Sequence, residues 1–140
     1  MVITTSPSRA AARIAAGIAA IVVSHGSAET LEDCLVRLRA AEGVAEIRVV
    51  DNDSRDGSLE IVQRHALADP RVRFIANPYN PGFAVACNQG ALDTRAPWLA
   101  FVNPDCFVQA DSLARLRMHA AEIEPGLVGA DLVGEDGARD

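Results

Sequence analysis

One device recurs along this chain and limits what it can fold into: a short apolar run, rich in β-branched residues, that stops at a polar or acidic residue. Ile18-Ala19-Ala20-Ile21-Val22-Val23 stops at Ser24-His25-Gly26. Glu46-Ile47-Arg48-Val49-Val50 stops at Asp51, and Trp98-Leu99-Ala100-Phe101-Val102 runs into Asn103-Pro104-Asp105. The first and third of these runs lack period-2 alternation and want cover on both faces, as central parallel strands do. Pro104 cannot donate a ladder hydrogen bond and biases Asn103 toward an extended conformation. The last run therefore ends there, with Asp105 just beyond it.

Helical patterns separate the runs. Thr30-x-x-Asp33 is a capping-box-like start, after which Leu31, Leu35 and Leu38 share a face until Gly43. The polar turn Asn52–Ser58 leads into a helix through about His65, with Leu59, Ile61 and Val62 apolar. A small-residue helix covers Phe83–Leu92. Asp111 is placed to cap a helix over Ser112–Glu122, with Leu113, Leu116 and Ile123 inward. Val72–Ile75 and Leu127–Val133 read as further strands, and Glu135-Asp136-Gly137 as a hairpin turn. This alternation predicts a mostly parallel, doubly wound α/β sheet with helices on both faces. Residues 1–17 are expected to be a loosely ordered leader and 18–140 a single domain.

The 140 residues are enough for a real core. A net charge of -6 excludes the clustered basic face of a nucleic-acid binder. It also means that an anionic ligand would need a metal ion or local donors. Cys34, Cys87 and Cys106 match no zinc spacing or disulfide framework, and Cys34 and Cys87, within apolar helical patterns, read as buried thiols in a reducing cytoplasm. Ala10–Val23, with Arg9 and Arg13, resembles a short signal segment, but about 10 uninterrupted apolar residues do not span a bilayer. No transmembrane segment is therefore expected.

Right-handed crossovers bring the three polar run-ends to one rim of the sheet, where α/β sheets bind ligands. Asp51, closing a buried strand, is costly unless paired, and could accept from a base N–H or a ribose hydroxyl. The plain alternative for Asp51–Asp56 is a solvated turn plus a helix cap. Asp105 suits Mg²⁺ or Mn²⁺ bridging a diphosphate, because such ions take one or two carboxylates and complete their shell with phosphate oxygens; its plain alternative is a turn residue. No Gly-x-Gly-x-x-Gly and no P-loop lysine is present. A Ser-His-Asp triad fails too, because Ser24 and His25 are neighbours on one turn and no Gly-x-Ser-x-Gly elbow exists. His65 and His119 read as surface or packing residues.

Four segments, in order and spacing, resemble the family 2 glycosyltransferases, most of all their bacterial rhamnosyltransferase-like branch. They are Ile21-Val22-Val23-Ser24-His25; Val49-Val50-Asp51-Asn52-Asp53-Ser54-x-Asp56-Gly57-Ser58; Asn80-Pro81-Gly82-Phe83-x-x-x-x-Asn88-x-Gly90; and Phe101-Val102-Asn103-Pro104-Asp105. The resemblance implies the Rossmann-like, donor-binding half of a GT-A fold, incomplete at the C-terminus, and an inverting transfer of a sugar such as rhamnose. The donor would be dTDP- or UDP-linked, the acceptor a saccharide or lipid-linked hydroxyl in cell-surface polysaccharide synthesis. The setting would be the cytoplasm or the inner face of the membrane.

Carried over residue by residue, Ser24 and His25 would flank the nucleoside, and Asp51 would contact the base or ribose, with Asp53 beside it. Gly82 and Phe83 would shape the donor-side loop. Asn88 and Gly90 would begin the helix beside the sugar diphosphate. Asn103 and Asp105 would stand for the Asp-x-Asp motif, with Asp105 the metal-binding acid. His25-Gly26 departs from the family's usual Tyr-Asn pair. The general base that deprotonates the acceptor matches no motif here, so the chain reads as an amino-terminal part. A non-catalytic α/β nucleotide-binding or interaction module is the alternative. A receiver-like domain phosphorylated on Asp51 is disfavoured, since no acidic pair follows the first apolar run.

Overall fold

The structure, a computed structural model, describes residues 1–5, 17–123, 126–130 and 133. A six-stranded sheet organises them: β1 Val2–Thr5, β2 Ile18–Ser24, β3 Val44–Asn52, β4 Val72–Asn77, β5 Trp98–Val102 and β6 Leu127–Gly129, in the order β4-β3-β2-β5-β1-β6. Strands β4, β3, β2 and β5 run parallel, and β1 is antiparallel to both β5 and β6. The expected mostly parallel α/β sheet is therefore present, with an antiparallel seam at one end. The helices are α1 Ala28–Ala40, α2 Ser58–Ala68, α3 Phe83–Leu92 and α4 Ser112–Ala121.

Burial explains the layers. In α1, Leu31, Cys34, Leu35 and Leu38 are buried at helical spacing. They join Ile18, Ala20, Val22, Ile47 and Val49 from the sheet, Val62 from α2 and Leu113 from α4 in one cluster. The alternate residues of β2 and β3 face α3. There Gly90 lies against Ile21 and Val50, so the helix packs backbone-close on the sheet. The chain thus lays α1 and α2 on one face, crosses with α3 on the other, and returns to the sheet beside β2. Strand order reverses between β2 and β5, and a crevice at such a switch point is the usual ligand position.

Several expectations need correction. Residues Val2–Thr5 are not a loose leader: they form a strand stitched between β5 and β6, while residues 6–16 lie outside the described part. Helix α1 begins at Ala28 with Ser27 at its N-cap position, so Thr30 and Asp33 lie inside it. Asp111 takes the N-cap position of α4 but makes no side-chain cap bond. Ile123, expected inward, is 44% exposed. The strand expected over Leu127–Val133 is assigned only over Leu127–Gly129. The expected turn at Glu135-Asp136-Gly137 lies outside the described residues. Among those residues, no helix is long and apolar enough to cross a membrane.

Candidate functional site

The three predicted segments do meet at one rim. Ser24 and Asp51 are register partners at the ends of β2 and β3, and Val22 pairs with Val102 where β5 ends. Ser24 is fully buried and Asp51 is 2% exposed. Asp51 Oδ2 accepts the Ser54 N–H at 3.0 Å. Its other oxygen, Oδ1, and the neighbouring Ser24 Oγ have no hydrogen-bond partner. A buried polar atom left unpaired costs about 1–3 kcal/mol, and here two of them belong to register-paired residues at the carboxyl ends of adjacent strands. They are a matched set: a carboxylate oxygen that can only accept and a hydroxyl that can donate.

His25 turns its ring onto the backbone, with Nδ1 2.5 Å from the Asn52 carbonyl oxygen. A carbonyl can only accept, so Nδ1 carries the proton. Asp53 holds φ at +56°, a left-handed conformation that short polar side chains tolerate, and its carboxylate pairs with exposed Arg55 at 3.2 Å.

The turn between β3 and α2 also seals the start of α1. Ser54 Oγ accepts the Gly26 N–H at 2.9 Å, Ser58 Oγ the Ser27 N–H at 3.0 Å and Asp56 Oδ2 the Ala28 N–H at 3.0 Å. The Ser58 hydroxyl donates to Asp56 Oδ1 at 2.6 Å, and this bond first, then that from Ala28, holds the Asp56 carboxyl below its ordinary range. The α1 N-terminus, the phosphate site of dinucleotide-binding folds, already holds a carboxylate of its own.

Across the rim, the Asn103 carbonyl is turned inward, accepting from Cys106 N–H at 3.0 Å and from the Cys34 thiol at 3.7 Å. The Asn103 and Asp105 residues are exposed. Burial, helped by the Cys106 and Asp105 charges, pushes the Cys34 thiol up to about 12, so it stays a neutral packing group. Among the described residues Asp105 has no ion pair, and no group of three or more His, Cys, Asp or Glu side chains gathers to cage a metal. That donor set fits a divalent ion held by one carboxylate and completed by diphosphate oxygens and water.

Gly82, at φ +94°, is the N-cap of α3, and Phe83 beside it is 58% exposed. Asn88 is exposed within α3 rather than at its start. Gly90 does not begin the helix either: it lies near its C-terminal end and serves packing against Ile21. Sequence reasoning missed Asn52, Asn77, Asn80 and Gln89, whose amides link the end of β3 to this loop; only the clustering of Asn at the strand ends could have flagged them.

The model of the family described as Glycosyl transferase family 2 matches residues 19–140. The chain belongs to that family. It is 36% identical over 120 residues to the succinoglycan biosynthesis protein ExoO of Rhizobium meliloti, covering 84% of this chain and 34% of that protein. It is 29% identical over 113 residues to the uncharacterized glycosyltransferase EpsJ of Bacillus subtilis, covering 80% of this chain and 33% of that one. The chain thus spans about a third of the length of these relatives. Among solved structures, the mannosyltransferase PcManGT from Pyrobaculum calidifontis in complex with GDP-Man and Mn²⁺ matches with a TM-score of 0.65 at 23% identity, over 71% of this chain and 30% of that one. TarS from S. aureus in complex with UDP-GlcNAc matches with a TM-score of 0.62 at 22% identity, over 76% and 31%. These likenesses establish the GT-A type of fold.

Proposed function

We propose that this chain carries the donor site of a glycosyltransferase that moves a sugar from a nucleoside diphosphate to an acceptor hydroxyl. The observation that carries the reading is the orphaned pair Asp51 Oδ1 and Ser24 Oγ. A base N–H or a ribose hydroxyl would satisfy the carboxylate oxygen, and a base or ribose oxygen would take the serine proton. His25 would hold the Asn52 backbone in place beneath the nucleoside. Gly82 and Phe83 would border the sugar side, with Asp53, Asn88 and Asn103 at its margin.

Asp105, with Asn103 next to it, would hold Mg²⁺ or Mn²⁺, and the bound ion would offset the charge that develops on the leaving diphosphate. The Mn²⁺ of the PcManGT complex and the nucleotide sugars of both solved neighbours support this chemistry. The resemblance favours a dTDP- or UDP-linked donor, rhamnose as the sugar, inversion, and a saccharide or lipid-linked acceptor of surface polysaccharide. A protein working in the cytoplasm, at the inner membrane face, follows from that role. A carboxylate base would deprotonate the acceptor; no described residue is assigned to it.

Calorimetric titration of UDP and dTDP, with and without Mn²⁺, tests the reading. Asp51→Asn should weaken binding about 10- to 100-fold, the worth of one charge-assisted hydrogen bond. Asp105→Asn should remove only the part of the affinity that Mn²⁺ adds. Absence of binding by the unaltered chain under all conditions would overturn the proposal, as would full affinity in Asp51→Asn.

A further inference from the structure

The polar groups between the nucleoside side of the rim and the loop before α3 form a single directed chain of amides. Asn52 and Asn77 are register partners on β3 and β4. The Gly82 backbone N–H can only donate, and it meets Asn80 Oδ1 at 2.9 Å. That contact decides which end of the Asn80 amide is oxygen. Asn52 must then present nitrogen to it, and its Nδ2 donates to Asn80 Oδ1 at 3.2 Å. Asn52 Oδ1 is left to accept from Asn77 Nδ2 at 2.8 Å. Asn77 and Gln89 of α3 close the chain by exchanging bonds, Nδ2 to Oε1 at 2.8 Å and Nε2 to Oδ1 at 3.1 Å. One backbone donor thus sets the polarity of every side-chain amide in the series, with no choice of flip remaining.

Asn52 is the junction. It is 1% exposed, its carbonyl holds the His25 ring, and its side chain holds the Asn80–Gly82 loop. It follows Asp51 directly, yet its side chain points to the opposite face of the sheet. We propose that Asn52 is a positioning residue, coupling the nucleoside side of the rim to the loop that borders the donor sugar. The proposal rests on the nucleotide-site reading above and names a residue that acts through others. Since amides do not titrate, the coupling has no pH dependence of its own.

Asn52→Asp tests it, because the change is nearly isosteric and reverses one bond. An oxygen would face Asn80 Oδ1. Asn80 can answer only by turning its Nδ2 inward, which strips Gly82 of its acceptor. In the ligand-free chain, NMR hydrogen exchange of the Gly82 amide should speed up about tenfold in Asn52→Asp, the worth of one hydrogen bond. The Ser54 amide, bonded to Asp51, should keep its rate. Asn80→Ala, at an exposed loop position, should accelerate Gly82 equally and serves if Asn52→Asp does not fold. In a UDP titration of the unaltered chain, the Ser54, Gly82 and Phe83 resonances should shift together. In Asn52→Asp the Ser54 shift should persist while the Gly82 shift is lost.

Unchanged Gly82 exchange, or a Gly82 shift of full size in the variant, overturns the proposal while the nucleotide site stands. If UDP shifts nothing in the unaltered chain, the nucleotide reading falls, and with it the coupling. The exchange arm then still decides whether Asn52 holds the loop.

Discussion

Gly90→Ala puts a single methyl group between α3 and the sheet. A Cβ at this position would lie 2.7 Å from Ile21 Cγ2 and 3.4 Å from Val50 Cγ2. Two effects oppose each other. Alanine in place of glycine inside a helix gains about 1 kcal/mol of propensity. Forcing a methyl into a packed interface costs about 1–3 kcal/mol. The second wins here because the contact is closer than real Cβ contacts allow and its partner cannot retreat. Ile21 is 1% exposed on a strand flanked by β3 and β5, and its β-branched χ1 is stiff.

A contact this close takes the upper half of that cost, about 2–3 kcal/mol, so the expected net loss is about 1–2 kcal/mol, which for a chain of this size lowers Tm by roughly 3–8 °C. Urea unfolding followed by Trp98, the chain's one tryptophan and fully buried, should show a lower midpoint with an unchanged slope. In a cycle with Ile21→Ala, the cost of the alanine at position 90 should largely vanish, since the colliding methyl is gone. A Gly90→Ala chain as stable as the original, with Ile21 intact, would refute the close-packing account.

Two further outcomes follow from the fold. Asp69, whose side chain is 11% exposed, accepts Arg71 Nη2 at 2.7 Å and Arg39 Nε at 3.2 Å, and the Arg71 bonds first hold its carboxyl well below the usual carboxylate range. A depressed folded pKa gives stability that is full above the unfolded value, about 4, and lost as pH falls through the folded one. Urea midpoints from pH 7 down to 2.5 should therefore fall less steeply in Asp69→Asn, which starts about 2 kcal/mol lower; parallel curves would refute this. Deleting residues 2–5 should leave β5 and β6 with bare edges, so acrylamide should quench Trp98 and light scattering should report association; a monomer with protected Trp98 would count against the seam.

The parallel half of the sheet was legible because β-branched runs such as Ile18–Val23 are local signals, and so were the polar residues at their ends. What escaped depended on partners far along the chain. The start of α1 was misplaced because its cap is Asp56, donated from another turn, and no local window contains it. Val2–Thr5 is too short to read as a strand without β5 beside it. The amide roles of Asn77 and Asn80 escaped because they arise only from the register of β3 on β4. Gly90 shared a motif with Asn88, which suggested a ligand, whereas the structure uses it to let two backbones approach.

The seam has a consequence in time. Thr5 pairs with Trp98 and Val2 with Phe101, whereas β2, β3 and β4 follow one another along the chain. At ~5–20 residues per second on the ribosome, roughly 5–20 s separate the synthesis of β1 from that of its first partner. The inner strands can pair during this interval, each with its helix already made. The antiparallel end must wait, and β6, whose pairing is with β1, comes last of all. The nascent chain therefore builds the polar rim of its sheet from the middle outward and forms the β1–β6 edge after it, which makes that edge the place where a stalled or crowded chain would go astray.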